Sequence, residues 1–301
     1  MPTTSNKSLI LVGGTGGLGT EIAKGLVTAE GFDHKIALVR TSAAEEKVVR
    51  LEELGWTIRK VDFEDKSKIE DALHGAKVIV STLSGPELMD IEMKLIDAAK
   101  LVGASLFVPS QFGVDNRRWK GDFPVFEAKR SILSHASEVN LPTLSVFVGA
   151  FSDIIFYFLA DLSNMQATIV SGGKSICSFT KRSDIGLVLA KALNDPKYEE
   201  GGYLSIQSDT VPWVEALGLV ETATGKTFQI TDIDPEEALT QEKLLLEKGD
   251  LGSFYQAFGL HLLGEPSRGS AGFDVSAESV SYDVPLESLE TTVTNMFASK
   301  K

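Results

Sequence analysis

Gly13, Gly16 and Gly19 stand three apart near the start of the chain, and their spacing is the first that implies chemistry. Glycines so placed let backbone N–H groups approach a diphosphate, while a helix starting at the same point turns its positive end to the anion. Both flanks are present: residues 9–12 read as a strand, and an amphipathic helical pattern begins directly after the turn. Thr15, Gly17 and Leu18 complete the expected cradle. Arg40 closes the next apolar run, residues 35–39. An acid at that point would accept from ribose hydroxyls, whereas a guanidinium pairs with a 2′-phosphate, so Arg40 selects NADPH over NADH. Lys47 can add charge to the same phosphate, although the reading it favours first is an ordinary solvated lysine.

A hydride-transfer site must also supply a proton or a charge where the substrate becomes electron-rich. In an open parallel sheet those groups stand at the carboxyl ends of the strands. The fourth strand runs out into Ser81, Thr82 and Leu83, the fifth into Ser110, Gln111, Phe112 and Gly113, and the helix after the fifth carries Lys129. Bland readings compete at each position. Lys129 lies in the charged segment Glu127-Ala128-Lys129-Arg130, of a kind that ordinarily faces water. Phe151 and Tyr157 read as core or pocket wall, and Asp62 as a turn cap. His34, His74, His135 and His261 share no metal-ligand spacing, so no metal is expected; His261 lies in a late segment able to cover a pocket. No Ser-His-acid set can be assigned from order alone.

Composition narrows the class. The chain has 301 residues, 43% of them apolar, enough for one large domain or a large domain with a smaller lobe. Acids outnumber bases 42 to 29, a net charge of −13, with no Lys/Arg block, which argues against nucleic acid as a partner. Cys177 is the single cysteine, so no internal disulfide forms, and a reducing, cytoplasmic setting is expected. The most apolar window, residues 144–162, is broken by Gly149, Asp153 and Asp161 and reads as strand then helix rather than a membrane span.

These residues need a frame. Apolar runs alternate with helical periods: strands at residues 56–61, 78–82, 106–108 and 143–148, and helices at 66–74, 87–102 and within 123–137. Strands separated by helices pair in parallel, giving an α/β, Rossmann-type doubly wound sheet over residues 1–150. Residues 151–301 are expected to form a smaller, mainly substrate-binding α/β lobe able to return a strand to the main sheet. Within it, Thr210 with Pro212 and Pro235 mark helix starts, residues 264–272 a loop, and residues 285–297 a closing helix.

Taken in order, Gly13 to Gly19, Leu38-Val39-Arg40, Val80-Ser81-Thr82, Pro109-Ser110-Gln111-Phe112-Gly113, Lys129 and Val148-Gly149-Ala150-Phe151 resemble the isoflavone reductase-like, or NmrA-like, branch of atypical short-chain dehydrogenases. Ordinary short-chain reductases carry a tyrosine one helical turn before the active-site lysine; that position here is Val125. The resemblance implies an NADPH-dependent reductase of a small aromatic or apolar metabolite. By carry-over, Lys129 is catalytic, Arg40 clamps the phosphate, Asp62 and Phe63 edge the adenine, and Ser81, Thr82 and Leu83 lie beneath the ribose. Ser110, Gln111, Phe112 and Lys129 reach the cofactor, and Gln111, Phe112, Gly113, Phe151 and Tyr157 the substrate. The branch usually carries Glu where this chain has Gln111, so the pocket loses a charge there. NmrA-like proteins also include NADP-binding redox sensors without turnover, and that alternative stays open, as does the choice between monomer and homodimer.

Overall fold

The computed structural model describes residues 7–85, 87–119, 124–264 and 273–298. Five parallel strands form the central sheet: β1 (Ser8–Val12), β2 (His34–Arg40), β3 (Thr57–Val61), β4 (Ala76–Ser81) and β5 (Leu106–Val108), in the spatial order β3-β2-β1-β4-β5. The helices between them are α1 (Gly17–Leu26), α2 (Glu45–Glu53), α3 (Lys66–Leu73), α4 (Leu88–Leu101) and α5 (Pro124–Glu138). Every residue of β1 is buried, with Leu9 and Leu11 in the core on one face and Ile10 and Val12 in the core on the other. Apolar cover on both sides is what a parallel strand requires. The order of pairing reverses between β1 and β4, which opens a crevice at the strand ends.

β6 (Leu144–Phe147) adjoins β5 through a bridge between Phe107 and Thr143. Beyond it the chain is less regular: β7 (Ala150–Phe151), α6 (Ile155–Leu159), β8 (Ala160–Asp161), β9 (Gln166–Val170), β10 (Ile176–Thr180), α7 (Arg182–Ala192), β11 (Gly202–Ser205), β12 (Asp209–Pro212), α8 (Trp213–Thr224), β13 (Gln229–Ile233), α9 (Pro235–Glu247), α10 (Leu251–Gly264) and α11 (Leu289–Ala298). Two small sheets, β12-β10-β7 and β13-β9-β8, enclose a separate core around Phe156, Phe179 and Trp213. β11 pairs in parallel with β6, and α7 docks on α1. Gly25 and Gly186 make that docking close: a Cβ on Gly186 would lie 2.2 Å from the Ile22 carbonyl, and one on Gly25 would lie 2.3 Å from the Leu187 nitrogen.

Several element boundaries differ from the sequence expectation. Thr210 lies in β12, and α8 begins only at Trp213 with Pro212 before it, because residues 209–212 pair with β10. The closing helix starts at Leu289 rather than Pro285, with the Leu289 N–H donating to Asp209 Oδ2 (2.7 Å). The expected loop at 264–272 lies outside the described residues except Gly264, which ends α10. The apolar window at 144–162 divides among β6, β7, α6 and β8, and no described helix is long and apolar enough to cross a membrane.

Candidate active site

The glycine turn joins β1 to α1 without slack. Gly13 has φ +83°, and a Cβ on Gly19 would fall 2.2 Å from the Gly13 carbonyl and 2.5 Å from Thr82 Oγ1, so both positions need glycine for the turn itself. Thr82 fixes the neighbouring strand end, donating from its N–H and from its hydroxyl to the Val12 carbonyl, each at 2.9 Å. Gly16 and Gly17 face outward. α1 has no capping side chain and no acid in its first turn, so its first N–H groups stay open to an anion. Thr15 and Leu18 are half-buried beside them. The turn therefore fits a diphosphate by an observation independent of the sequence pattern.

Arg40 stands at the end of β2, exposed, with its guanidinium 2.6 Å from the Glu87 carboxylate. An exposed pair of this kind contributes at most about 1 kcal/mol, so a phosphate could displace Glu87. Lys47 is solvated on α2. Asp62 is exposed and accepts from the Glu64 N–H (3.1 Å), the turn-cap geometry. Phe63 turns its ring into the core, so at the adenine edge it can offer only backbone.

Lys129 sits on α5 and its backbone is tied to the β5 end: Gln111 Nε2 donates to the Lys129 carbonyl (3.1 Å). Gln111 is fully buried and its Oε1 accepts from Asn116 Nδ2 (2.6 Å). The Ser110 hydroxyl donates to the Leu83 carbonyl (2.7 Å), linking the β4 and β5 ends. Burial of the Lys129 ammonium lowers its pKa to about 8, opposed by the negative charge of Glu92. Ser81, Thr82, Leu83, Ser110, Gln111 and Lys129 are thus one group at the carboxyl edge of the sheet. Gly113 joins it to the β6 exit, its carbonyl accepting from the Val148 and Gly149 N–H groups (2.9 and 3.0 Å), next to Phe151.

Two expected substrate residues stand elsewhere. Phe112 is packed in the main core with Val108 and Val148, because the chain leaving β5 alternates sides and Phe112 takes the inward one. Tyr157 is half exposed in the short α6 and lines a separate depression of about 500 Å³ with Asp161, Met165, Lys226 and Phe297; α6 seats Phe156, not Tyr157, in the core. The structure does not bring Tyr157 to the Lys129 group.

Three residues were not read from the sequence. Glu92, on α4, is fully buried, accepts from the Ser110 N–H at 2.9 Å, and has its pKa raised to about 7 by burial. Its signal was present: an acid one helical turn after Leu88 and one before Ile96, inside the apolar stripe of α4. Arg182, the first residue of α7, reaches back to the glycine turn and donates to the Gly17 carbonyl (3.2 Å), braced by Asp153 (2.9 Å). No local pattern announces it. Glu242 of α9 meets His261 of α10 at 2.5 Å, both buried, and the His261 ring stands edge-on to Trp119, centroids 5.6 Å apart. Trp119 packs in turn on Phe126 and Phe258, giving an aromatic wall near the start of α5. Among the described residues no group of three or more His, Cys, Asp or Glu could hold a metal ion.

In sequence and in fold the chain is similar to known proteins. The isoflavone reductase homolog IRL of Zea mays is 30% identical over 255 residues, 79% of this chain and 81% of that protein. The phenylcoumaran benzylic ether reductase IRL1 of Ginkgo biloba is 28% identical over 248 residues, 77% of this chain and 79% of its own length. In fold, the binary complex of leucoanthocyanidin reductase with NADPH from Vitis vinifera superposes with a TM-score of 0.81 at 19% identity, covering 97% of this chain and 99% of that one. The NmrA-like family profile matches residues 5–290. With the glycine turn, the parallel sheet and the strand-end lysine falling inside that match, the chain belongs to the NmrA-like family.

Proposed function

We propose that this protein is an NADPH-dependent reductase of a small aromatic or otherwise apolar metabolite, with Lys129 as its catalytic residue. The observation that carries the reading is a desolvated lysine, tied by Gln111 to the carboxyl ends of β4 and β5, beside a turn shaped for a dinucleotide. The relatives named as reductases support it over a sensor without turnover. When bound, NADPH supplies the hydride. Gly13, Thr15, Gly16, Gly17, Leu18 and Gly19 would hold its diphosphate, with Arg182 adding positive charge at the same turn. Arg40, on leaving Glu87, would hold the 2′-phosphate, with Lys47 nearby on α2. Asp62 and the Phe63 backbone would edge the adenine, and Ser81, Thr82, Leu83, Ser110 and Gln111 would underlie the ribose and nicotinamide.

At neutral pH a lysine with pKa about 8 is mostly charged yet close enough to its pKa to give up a proton readily. Lys129 Nζ would donate to a ribose or substrate oxygen and deliver a proton there, directly or through water. Buried Ser81, Gln111 and Glu92 beside it would limit the access of bulk water to that exchange. Gly113 and Phe151 would border the substrate. We assign residues 1–150 mainly to cofactor and 151–301 mainly to substrate, with α7 and β11 returned to the first half. The setting we favour is cytoplasmic.

NADPH oxidation followed against a panel of phenylpropanoid-type substrates tests this. Turnover with at least one of them supports the reductase. NADPH binding with no turnover across the panel supports the sensor.

A further inference from the structure

Glu92 buries a carboxylate completely, an arrangement that costs free energy unless both oxygens are satisfied. Only one is. Oε1 accepts from the Ser110 N–H at 2.9 Å; the Ser81 hydroxyl stands beside the carboxylate and favours its charged form, yet Oε2 has no hydrogen bond of ordinary length among the described residues. Lys129 is held at the same strand end, since Gln111, the residue after Ser110, donates to the Lys129 carbonyl (3.1 Å); the two charges are not within the 4.0 Å of an ion pair, yet each acts on the other. Several other charges on α4 and the helices packed against it have surface partners. Lys94 meets Asp90 (2.7 Å) and Glu64 (3.1 Å), Asp97 meets His135 (2.7 Å) and Lys66 (3.3 Å), and Lys68 meets Asp65 (3.6 Å). On α5, Glu127 is exposed and Arg130 half-buried, and neither acts on Glu92. Position 111, next to Lys129, carries no charge, and among the described residues Glu92 is the acid whose charge acts on Lys129.

We propose that Glu92 is the positioning residue of the site, its open oxygen joined to Lys129 through one bridging hydroxyl or water so that the pair shares a proton. The exchange balances as carboxyl plus amine against carboxylate plus ammonium. Glu92 thereby keeps Lys129 charged at a pH where burial alone would have stripped its proton. A bridge supplied by a ribose or substrate hydroxyl would join cofactor or substrate to the same proton. The proposal rests on the assignment of Lys129 to the site, but its test needs neither cofactor nor turnover.

The full chain, without ligand, is labelled with trace acetic anhydride across pH 6–11, and the peptide carrying Lys129 is quantified by mass spectrometry. In the wild type the labelling midpoint is expected near pH 8. In Glu92→Gln, which keeps an acceptor for the Ser110 N–H, the midpoint should fall by about 1 pH unit, the size of losing one neighbouring opposite charge. A merely structural Glu92 would leave it unmoved in a variant that melts cooperatively, and that result overturns the proposal. Should Glu92→Gln fail to fold, Lys129→Met reads the pair from the other side. The infrared carboxyl C=O band that titrates near pH 7 should then titrate about 1 unit higher, and an unchanged midpoint overturns the proposal equally.

Discussion

Three of the acid–base pairs among the described residues stand in three different settings, and they behave differently for one physical reason. Glu242 and His261 are buried in direct contact, so the carboxylate and the ring Nδ1 satisfy each other. Glu92 is buried, Lys129 half-buried, and the two stand apart, so each pays for its charge, with pKa values moved to about 7 and about 8. Arg40 and Glu87 touch in open water, where either is readily exchanged. Direct burial builds structure, separated burial builds chemistry, and exposure leaves a cation ready for an anion from solution.

The largest expected effect separates the first two pairs. Lys129→Met should lower turnover by about 10²–10⁴-fold, the range for a positioned acid–base group, while NADPH affinity and melting temperature stay near wild type. Stopped-flow NADPH oxidation beside a thermal melt reads both, and wild-type turnover would remove Lys129 from the chemistry. As pH rises through about 8, wild-type turnover should fall if Lys129 acts as the acid, because its proton is then lost.

Glu242→Ala should do the converse. Losing a buried acceptor and opening a cavity costs about 2–4 kcal/mol, or about 5–10 °C in melting temperature, with the Michaelis constant for NADPH unchanged in the folded fraction. A variant that melts normally but has lost turnover would move this pair into the substrate site.

Arg40→Ala tests the exposed pair. Losing a charge-assisted contact to the 2′-phosphate should weaken NADPH by roughly 10–100-fold and leave NADH almost untouched, as read by fluorescence titration with both. Equal losses would mean that Arg40 is not the clamp.

Glu92→Gln should be a stabilising change. The Glu92 pKa is raised by folding from 4.5 to about 7, so its contribution is fully present below pH 4.5 and is lost as pH rises through about 7. Glutamine has no proton to lose. The variant should match wild type near pH 4 and exceed it above pH 7 by on the order of 1–3 kcal/mol in denaturant melts. Equal stability at pH 8 would mean that the carboxylate is not desolvated. Smallest of all, Glu87→Ala should tighten NADPH by no more than about 5-fold, since a surface pair holds Arg40 by at most about 1 kcal/mol.

The nucleotide half was legible because its determinants are local. A strand, a glycine turn, a helix start and Arg40 at the next strand end all fall within residues 8–40, and backbone sterics and periodicity dictate them without reference to the rest of the chain. The order of strands and helices fixed the parallel sheet for the same reason, and it brought Ser81, Ser110, Gln111 and Lys129 to one edge. What only the tertiary structure decided is which polar side chains face inward and meet. Lys129 in a charged segment looked solvated, and the packing around α5 half-buries it and lowers its pKa by desolvation. Glu92 was hidden in an amphipathic helix, Arg182 came to the glycine turn from 165 residues away, and Tyr157 was turned outward by a five-residue helix that seats Phe156 instead. Sequence sets local geometry through short-range sterics, but burial, and with it charge and pKa, belongs to the packing of distant elements.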